Sequence, residues 1–274
     1  MQTKFHKIFK KRKNVIIGAI HLPPLLGYKN FPGVKVALKN ALSDLRAFEQ
    51  GGVDGVIFEN NYDIPHKPVV DKSVIGVMAL LGKKIRSATK LPLGVNVLWN
   101  DYYASLSLAK LLNLQFIRIP VFVDRVKTEC GIIHGKPHEV LKLQSLLKAD
   151  DVALFTDIHI KHATILSQYS IISSARLAIK NNADAIIVTG KWTGKAPDLN
   201  ELKTLRKSIG DFPILVGSGT DKENVKSLFE YTDGAIVSTS LKSGRVRSKE
   251  INVKSYKQRI DVKKVKNLIK QLKE

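Results

Sequence analysis

Between residues 157 and 162 the chain places Asp157, His159, Lys161 and His162 directly after the apolar run 152–155. A carboxylate, two imidazoles and an amine cover proton transfer, charge stabilisation and metal ligation. A buried strand gains no stability from them, because burying an unpaired charge is costly. Polar residues also close most other apolar runs. His21 follows the first, Glu59, Asn60 and Asp63 the second, and Asn96, Asn100 and Asp101 the third. Arg118 lies within the fourth, and Thr189 and Thr193 follow the sixth. Each has a plainer reading. Asp101 could cap a helix over 102–111, and Asn60 and Asp63 could be turn formers before Pro65. Arg118 could pair with Glu59 or Asp157, and His21 could be a hydrogen-bonded core histidine. Lys191 reads as a solvated loop charge, and His66, His134 and His138 read as surface residues. Coincidence at five strand ends is the weaker account, so the set reads as a site. If the chain stays extended, Asp157, His159 and Lys161 share one face.

The elements that must position these residues are visible as apolar runs at 15–20, 55–58, 93–98, 116–120, 152–157, 185–188, 213–216 and 234–237. Each is short and almost continuously apolar, as in parallel strands covered on both faces. Amphipathic helices lie between them. In 34–50 the residues Ala37, Leu38, Ala41, Leu42, Leu45 and Phe48 keep a helical stripe that Gly51 and Gly52 end. Eight such units without a linker predict an α/β fold, a single (β/α)8 TIM barrel over 1–274. Residues 1–13 read as a basic N-terminal extension and 261–273 as the closing helix. A doubly wound sheet would usually carry Gly-x-Gly-x-x-Gly after its first strand. Here the first strand runs into His21-Leu-Pro-Pro-Leu-Leu-Gly27 instead.

In a barrel the C-terminal strand ends form the active face, and the loops after strands seven and eight commonly cradle phosphate. Gly217, Ser218 and Gly219 follow the seventh run, and Ser238, Thr239 and Ser240 the eighth. Glycines would admit close backbone approach and the hydroxyls would add donors, with Lys242 and Arg245 contributing field. The expected partner is therefore a phosphorylated small molecule. Asp157 and His159 are expected to share acid–base duty with help from His21 and Glu59, while Lys161 and Arg118 stabilise negative charge. An alternative is a Schiff base at Lys161, which needs a lowered pKa in a buried position. Asn60, Asn96, Asn100, Asp101, His162, Thr189 and Thr193 are the candidate substrate-binding residues. His21, Glu59, Asp157 and His159 are suitable ligand types for a divalent ion such as Mg. No compact metal spacing is present, so no metal or other cofactor is assigned.

Composition bounds the rest. A formal charge of +21 suits nucleic acid, an anionic membrane surface or phosphorylated ligands. Beyond Lys10-Lys-Arg-Lys13 the basic residues are spread along predicted helices, and no nucleic-acid motif is recognisable. Nucleic acid is thus not the expected partner; a homo-oligomer and peripheral membrane contact are both compatible with the sequence. The lone Cys130 excludes an intramolecular disulfide and fits a reducing compartment. No apolar run reaches the roughly 18 residues of a membrane helix, and residues 15–20 lack a cleavage pattern after the basic start. A cytoplasmic location is expected. Three function classes remain: an enzyme of lyase, isomerase or glycosidic-cleavage type, a non-enzymatic assembly or stability factor acting through a basic surface, and RNA binding. The strand-end polar set favours the enzyme.

Over nearly the whole chain, from Ile16 to Lys242, the ordered motifs resemble those of the BtpA family. The carriers are His21-Leu-Pro-Pro-Leu-Leu-Gly27, the stretch from Gly52 to Asn60, Gly94 to Asp101, Phe116-Ile-Arg118 and Gly131 to Gly135. They continue with Asp157 to Ala163, Val188 to Gly194, Gly217-Ser-Gly219, Glu223-Asn224 and Ser238 to Lys242. The chain departs from the family pattern in having Leu26 where proline is usual, Trp99 where a basic residue is common and Ser238 where glycine is common. The resemblance implies a barrel of the ribulose-phosphate-binding type. It links members to photosystem I stabilisation or, in SgcQ-like cases, to sugar-operon or nucleosidase-like roles. Nothing in this chain points to photosynthesis, so that role is not carried over.

Overall fold

The computed structural model describes residues 2–246 and 251–273. Eight parallel strands close a barrel: β1 (Val15–His21), β2 (Gly55–Glu59), β3 (Leu93–Asn96), β4 (Phe116–Ile119), β7 (Ala153–Ile158), β9 (Ala185–Val188), β10 (Ile214–Val216) and β11 (Gly234–Val237). β1 pairs with both β2 and β11, which shuts the ring. Three short strands, β5 (Arg125–Thr128), β6 (Gly131–His134) and β8 (Thr164–Ile165), make a separate antiparallel sheet. Its segments come from the connections after β4 and β7.

Period-two alternation divides the strand residues between two cores. Outward residues such as Ile16, Ile20, Val56, Leu154 and Val216 pack under the helices. Inward residues Ala19, Ile57, Phe116, Phe155, Ile187, Leu215 and Ile236 fill the barrel. The Phe116 and Phe155 rings stack at 4.6 Å. This requires Gly94, since a Cβ there would lie 2.2 Å from the Phe116 ring. The helices around the ring are α2 (Val34–Gly51), α3 (Lys72–Ala88), α4 (Tyr102–Leu112), α5 (Pro137–Leu146), α6 (Ile171–Lys180), α7 (Leu199–Ile209), α8 (Val225–Phe229) and α9 (Val262–Gln271). α9 is capped by Asp261, whose side chain accepts from the Lys263 N–H. It packs so closely on α2 that a Cβ at Gly51 would meet Val265 at 2.1 Å.

Part of the expected basic extension is structured. Residues Lys4–Phe9 form helix α1, and its Phe5 and Phe9, one turn apart, are buried against Phe155 and Phe116 in the barrel interior. Three aspartates that precede strands tie neighbouring strand starts together. Asp54 accepts from Ile16 N, Asp184 from Leu154 N and Asp233 from Ile214 N. The opposite end, where the strands finish, carries the polar residues. Among the described residues no helix is long and apolar enough to cross a membrane.

Candidate active site

Two residues beyond the apolar layer, the same inward alternation delivers a second, mostly polar layer. It places His21 above Ala19, Glu59 above Ile57, Arg118 above Phe116, Asp157 above Phe155, Thr189 above Ile187, Gly217 above Leu215 and Ser238 above Ile236. Parallel register sets His21 beside Glu59 and Glu59 beside Asn96. Arg118 is the hub. Its Nε and Nη2 donate to the two Asp157 carboxylate oxygens, both at 2.8 Å, and Nη1 donates to Glu59 Oε1 at 3.3 Å. Asn96 Nδ2 donates to the same Glu59 oxygen at 3.2 Å. Burial pushes the Asp157 carboxyl up, and Arg118 opposes this. We hold the pair to be ionised, because two short bonds from one guanidinium fork need two acceptor oxygens, which a protonated carboxyl does not offer. The two carboxylates hold the guanidinium above its usual range against the opposing effect of burial.

Immediately after Asp157 the expected extended path breaks. His159 and His162 both adopt left-handed backbone, with φ of 48° and 58°. The His159 N–H is drawn to the buried Asp124 carboxylate at 3.0 Å, and its Nε2 lies 3.1 Å from the Tyr169 carbonyl. Asp124 also accepts from Ser167 and Ser174, so it fixes the turn from a distant part of the sequence. His159 therefore leaves the face shared by Asp157 and Lys161, and it does not line the central cavity. Lys161 does line it, anchored by its N–H to Thr189 Oγ1 at 2.9 Å. Among the described residues no carboxylate comes within ion-pair distance of its Nζ, because Glu59 and Asp157 are both engaged by Arg118. Burial first, then the Arg118 charge, push this amine down to about 8. His21 is held well below its ordinary value by burial and by Lys242, Lys161 and Arg118, so the ring is neutral near pH 7. Its Nε2 lies 3.9 Å from Glu59 Oε2.

Above this floor opens a cavity of about 1030 Å³. Gly217, Ser218, Gly219, Ser238, Thr239 and Ser240 line one wall. Ser240 Oγ joins the two loops by donating to the Thr220 carbonyl at 2.7 Å, and Ser218 Oγ accepts from Gly194 N at 3.2 Å. Ser238 Oγ and Thr220 Oγ1 are buried with no partner among the described residues. Gly219 has φ 77°, and a Cβ there would sit 2.1 Å from Ala196 N, so the loop after β9 packs directly on it. Large apolar side chains also line the cavity. They include Trp99, Ile160 and Trp192, with Trp192 edge-on to His162 at 4.2 Å. His162 Nε2 meets Thr193 Oγ1 at 2.7 Å, and burial pushes the ring down to about 4. Around the cavity, Arg118, Lys127, Lys161, Lys191, Lys195 and Lys254 face only Glu59, Glu129 and Asp221 among described residues. The excess of cations gives the space a positive field.

Four expected substrate contacts, Asn60, Asn100, Asp101 and Thr189, are absent from this lining and hold the framework. Asn60 bonds Asp63 and the Leu98 backbone, and Asn100 clamps both polar groups of Val121. Asp101 caps α4 at Ala104 N and also accepts from Val70 N. Thr189 acts through Lys161, and Asp157 lies beneath the cavity, bonded to Arg118. Lysine 191, expected to be only a loop charge, borders the cavity. His66 is buried at its edge, paired with Glu129 at 3.3 Å, and is not a surface residue. Lys242 is 1% exposed, with Nζ 3.3 Å from Tyr62 Oη and 3.5 Å from His21 Nδ1. Its amine is pushed down to about 8, chiefly by burial. Among the described residues no group of three or more His, Cys, Asp or Glu side chains converges on a metal position.

Residues 12–274 match the BtpA family. The chain belongs to it. This BtpA-family chain is 36% identical over 269 residues to an uncharacterized protein of Methanocaldococcus jannaschii, covering 97% of this chain and 98% of that one. It is 34% identical over 232 residues to the photosystem I biogenesis protein BtpA of Synechocystis, covering 84% and 80%. Among solved structures it is similar to GGGPS from Thermoplasma volcanium, with TM-score 0.61, 11% identity and coverage of 100% and 98%. N-(5'-phosphoribosyl)anthranilate isomerase from Pyrococcus furiosus superposes with TM-score 0.57 at 13% identity, covering 95% and 98%. At these identities the likeness concerns the fold alone, a closed barrel of eight parallel strands of the TIM type.

Proposed function

We propose that the protein is an enzyme acting on a phosphorylated sugar or nucleotide-like metabolite by acid–base lyase, isomerase or glycosidic-cleavage chemistry. The observation that carries this reading is, among the described residues, the cation excess around one cavity whose wall holds the buried, unpartnered Ser238 hydroxyl. A dianionic phosphate would satisfy that hydroxyl and balance the field, with the loops 217–220 and 238–240 supplying donors. Several structural neighbours carry names of phosphate-handling enzymes, which supports the same class.

Roles follow from access. Arg118, fixed by Asp157 and Glu59, presents a positive charge at the floor, where a developing oxyanion would be stabilised. Glu59 and Lys161 border the cavity and are the groups for proton movement, with neutral His21 beside Glu59. Asp157 is a positioning residue in this scheme, acting through Arg118. His159 has no part in it. A thermal-shift screen with phosphosugars, nucleotides and inorganic phosphate tests the reading. Ser238→Asp, which sets a carboxylate against the phosphate while leaving the Gly219 packing intact, should abolish a selective shift. A shift of the same size in that variant, or none from any phosphorylated compound, would refute it.

The name of the cyanobacterial relative favours a second reading, an assembly or stability factor acting through the basic surface. It leaves the ordered strand-end layer without a task.

A further inference from the structure

We propose that Lys161 is an imine-forming nucleophile, whose amine condenses with the carbonyl of an open-chain phosphorylated aldehyde or ketone held against the wall of residues 217–220 and 238–240. The inference rests on the phosphosugar reading and gives it a substrate class and a covalent step.

An ordinary buried lysine is neutralised by a carboxylate, because leaving the ammonium unpaired is costly. Lys161 departs from that pattern. The two nearest carboxylates are already committed to Arg118, and the residue lines the cavity with its amine unbonded among the described residues. Its main chain is fixed: the N–H is held by Thr189 Oγ1, and left-handed turns at His159 and His162 bracket it. The groups facing it are Arg118, Glu59, Asp157, His21 and His162. Burial and the Arg118 charge favour the neutral amine, the form that attacks carbonyl carbon. Lys242 shares the depressed amine but not the access. It is fully buried, bonded to Tyr62 Oη and absent from the cavity lining.

The condensation balances without a cofactor. The nitrogen lone pair adds to the carbonyl carbon, the C–O π pair moves to oxygen, and a proton passes from nitrogen to that oxygen. The nitrogen then expels the hydroxyl, which takes one further proton and leaves as water, giving a protonated imine. Glu59 is the carboxylate at the cavity floor able to carry both protons. The imine accepts the electron pair released when an adjacent C–H or C–C bond breaks, which is the demand of isomerase and lyase chemistry.

Pyridoxal 5'-phosphate, a phosphorylated aldehyde, is the probe, with borohydride to reduce any imine and peptide mapping to locate it. An amine titrating at about 8 holds on the order of a hundredfold more free base at pH 7.5 than an ordinary lysine. Lys161 should therefore label at least roughly tenfold faster than the exposed Lys148. The fast adduct should vanish in Lys161→Met and in Lys161→Arg, whose melting curves report that each has folded. Equal rates with pyridoxal, which lacks the phosphate, would support the imine and count against the phosphate wall. Labelling of Lys161 no faster than of Lys148 would overturn the inference. A phosphosugar melting shift lost in Ser238→Asp would still stand for the broader reading.

Discussion

Arg118 and Lys161 are cations bordering the same cavity, yet the structure treats them oppositely. Arg118 is matched: its fork meets Asp157 on two bonds and Glu59 on a third, so its charge is permanent. Among the described residues Lys161 is left unmatched, and the fold bears the cost. Its amine titrates near 10.4 when unfolded and at about 8 when folded, so between these values the unfolded chain binds more protons. Stability contributed at this site is therefore lowest below pH 8 and rises as pH climbs through the window from 8 to 10.4. The full shift corresponds to roughly 3 kcal/mol, and solvent screening of the half-buried side chain reduces that to about 2 kcal/mol. Lys161→Met should accordingly stabilise the protein by about 2 kcal/mol at pH 7 while abolishing turnover. Urea denaturation at pH 7 and pH 10 checks this: the advantage of the variant should shrink at the higher pH. A variant less stable than the parent at pH 7 would show that the amine has a partner in the fold.

At the scale of elements, α1 is the piece whose removal should matter most for its size. Six residues do not make a stable helix alone; Lys4–Phe9 is held because Phe5 and Phe9 reach the barrel interior. Phe5→Ala should cost about 3 kcal/mol, as for other buried phenylalanines, and Lys7→Ala, on an exposed position, close to nothing. Denaturation midpoints of the two variants test this, and equal midpoints would mean that α1 is only an appendage. Charge hides this helix in the sequence, although the i, i+4 phenylalanines are its visible trace. The eight barrel strands were legible because each is a continuous apolar run that needs no distant partner to be recognised. The side sheet was not: Arg125–Thr128 and Gly131–His134 are half-exposed four-residue strands with no clean alternation. The same limit explains the site. The inward layer from His21 to Ser238 follows from alternation along each strand. The turn at His159 depends on Asp124, 35 residues away, and the burial of Lys242 depends on loops that meet only in the closed barrel.

For the whole molecule the question is what a charge of +21 is for. The cavity accounts for a small part, six basic groups against three acidic ones among the described residues. Most of the remainder is distributed along the chain, with α9 carrying several exposed lysines on the barrel exterior. A convex body with charge on all sides brings only a fraction of it to any plane. A basic residue near an anionic membrane contributes about 1 kcal/mol, and only within a Debye length, which is about 8 Å at physiological salt. Vesicle attachment should therefore be weak and salt-limited, whereas a phosphate enclosed by the cavity is screened far less. The two proposed functions thus separate on ionic strength. The protein should co-sediment with phosphatidylserine vesicles at 0.01 M salt, where the Debye length is about 30 Å, and be released at about 0.15 M. The phosphosugar-induced melting shift should persist at about 0.15 M salt. If attachment survives at that salt in the Lys161→Met variant while the parent protein shows no phosphosugar shift there, the basic exterior becomes the working surface. The depressed amine over the barrel mouth would then be left without a substrate to explain it.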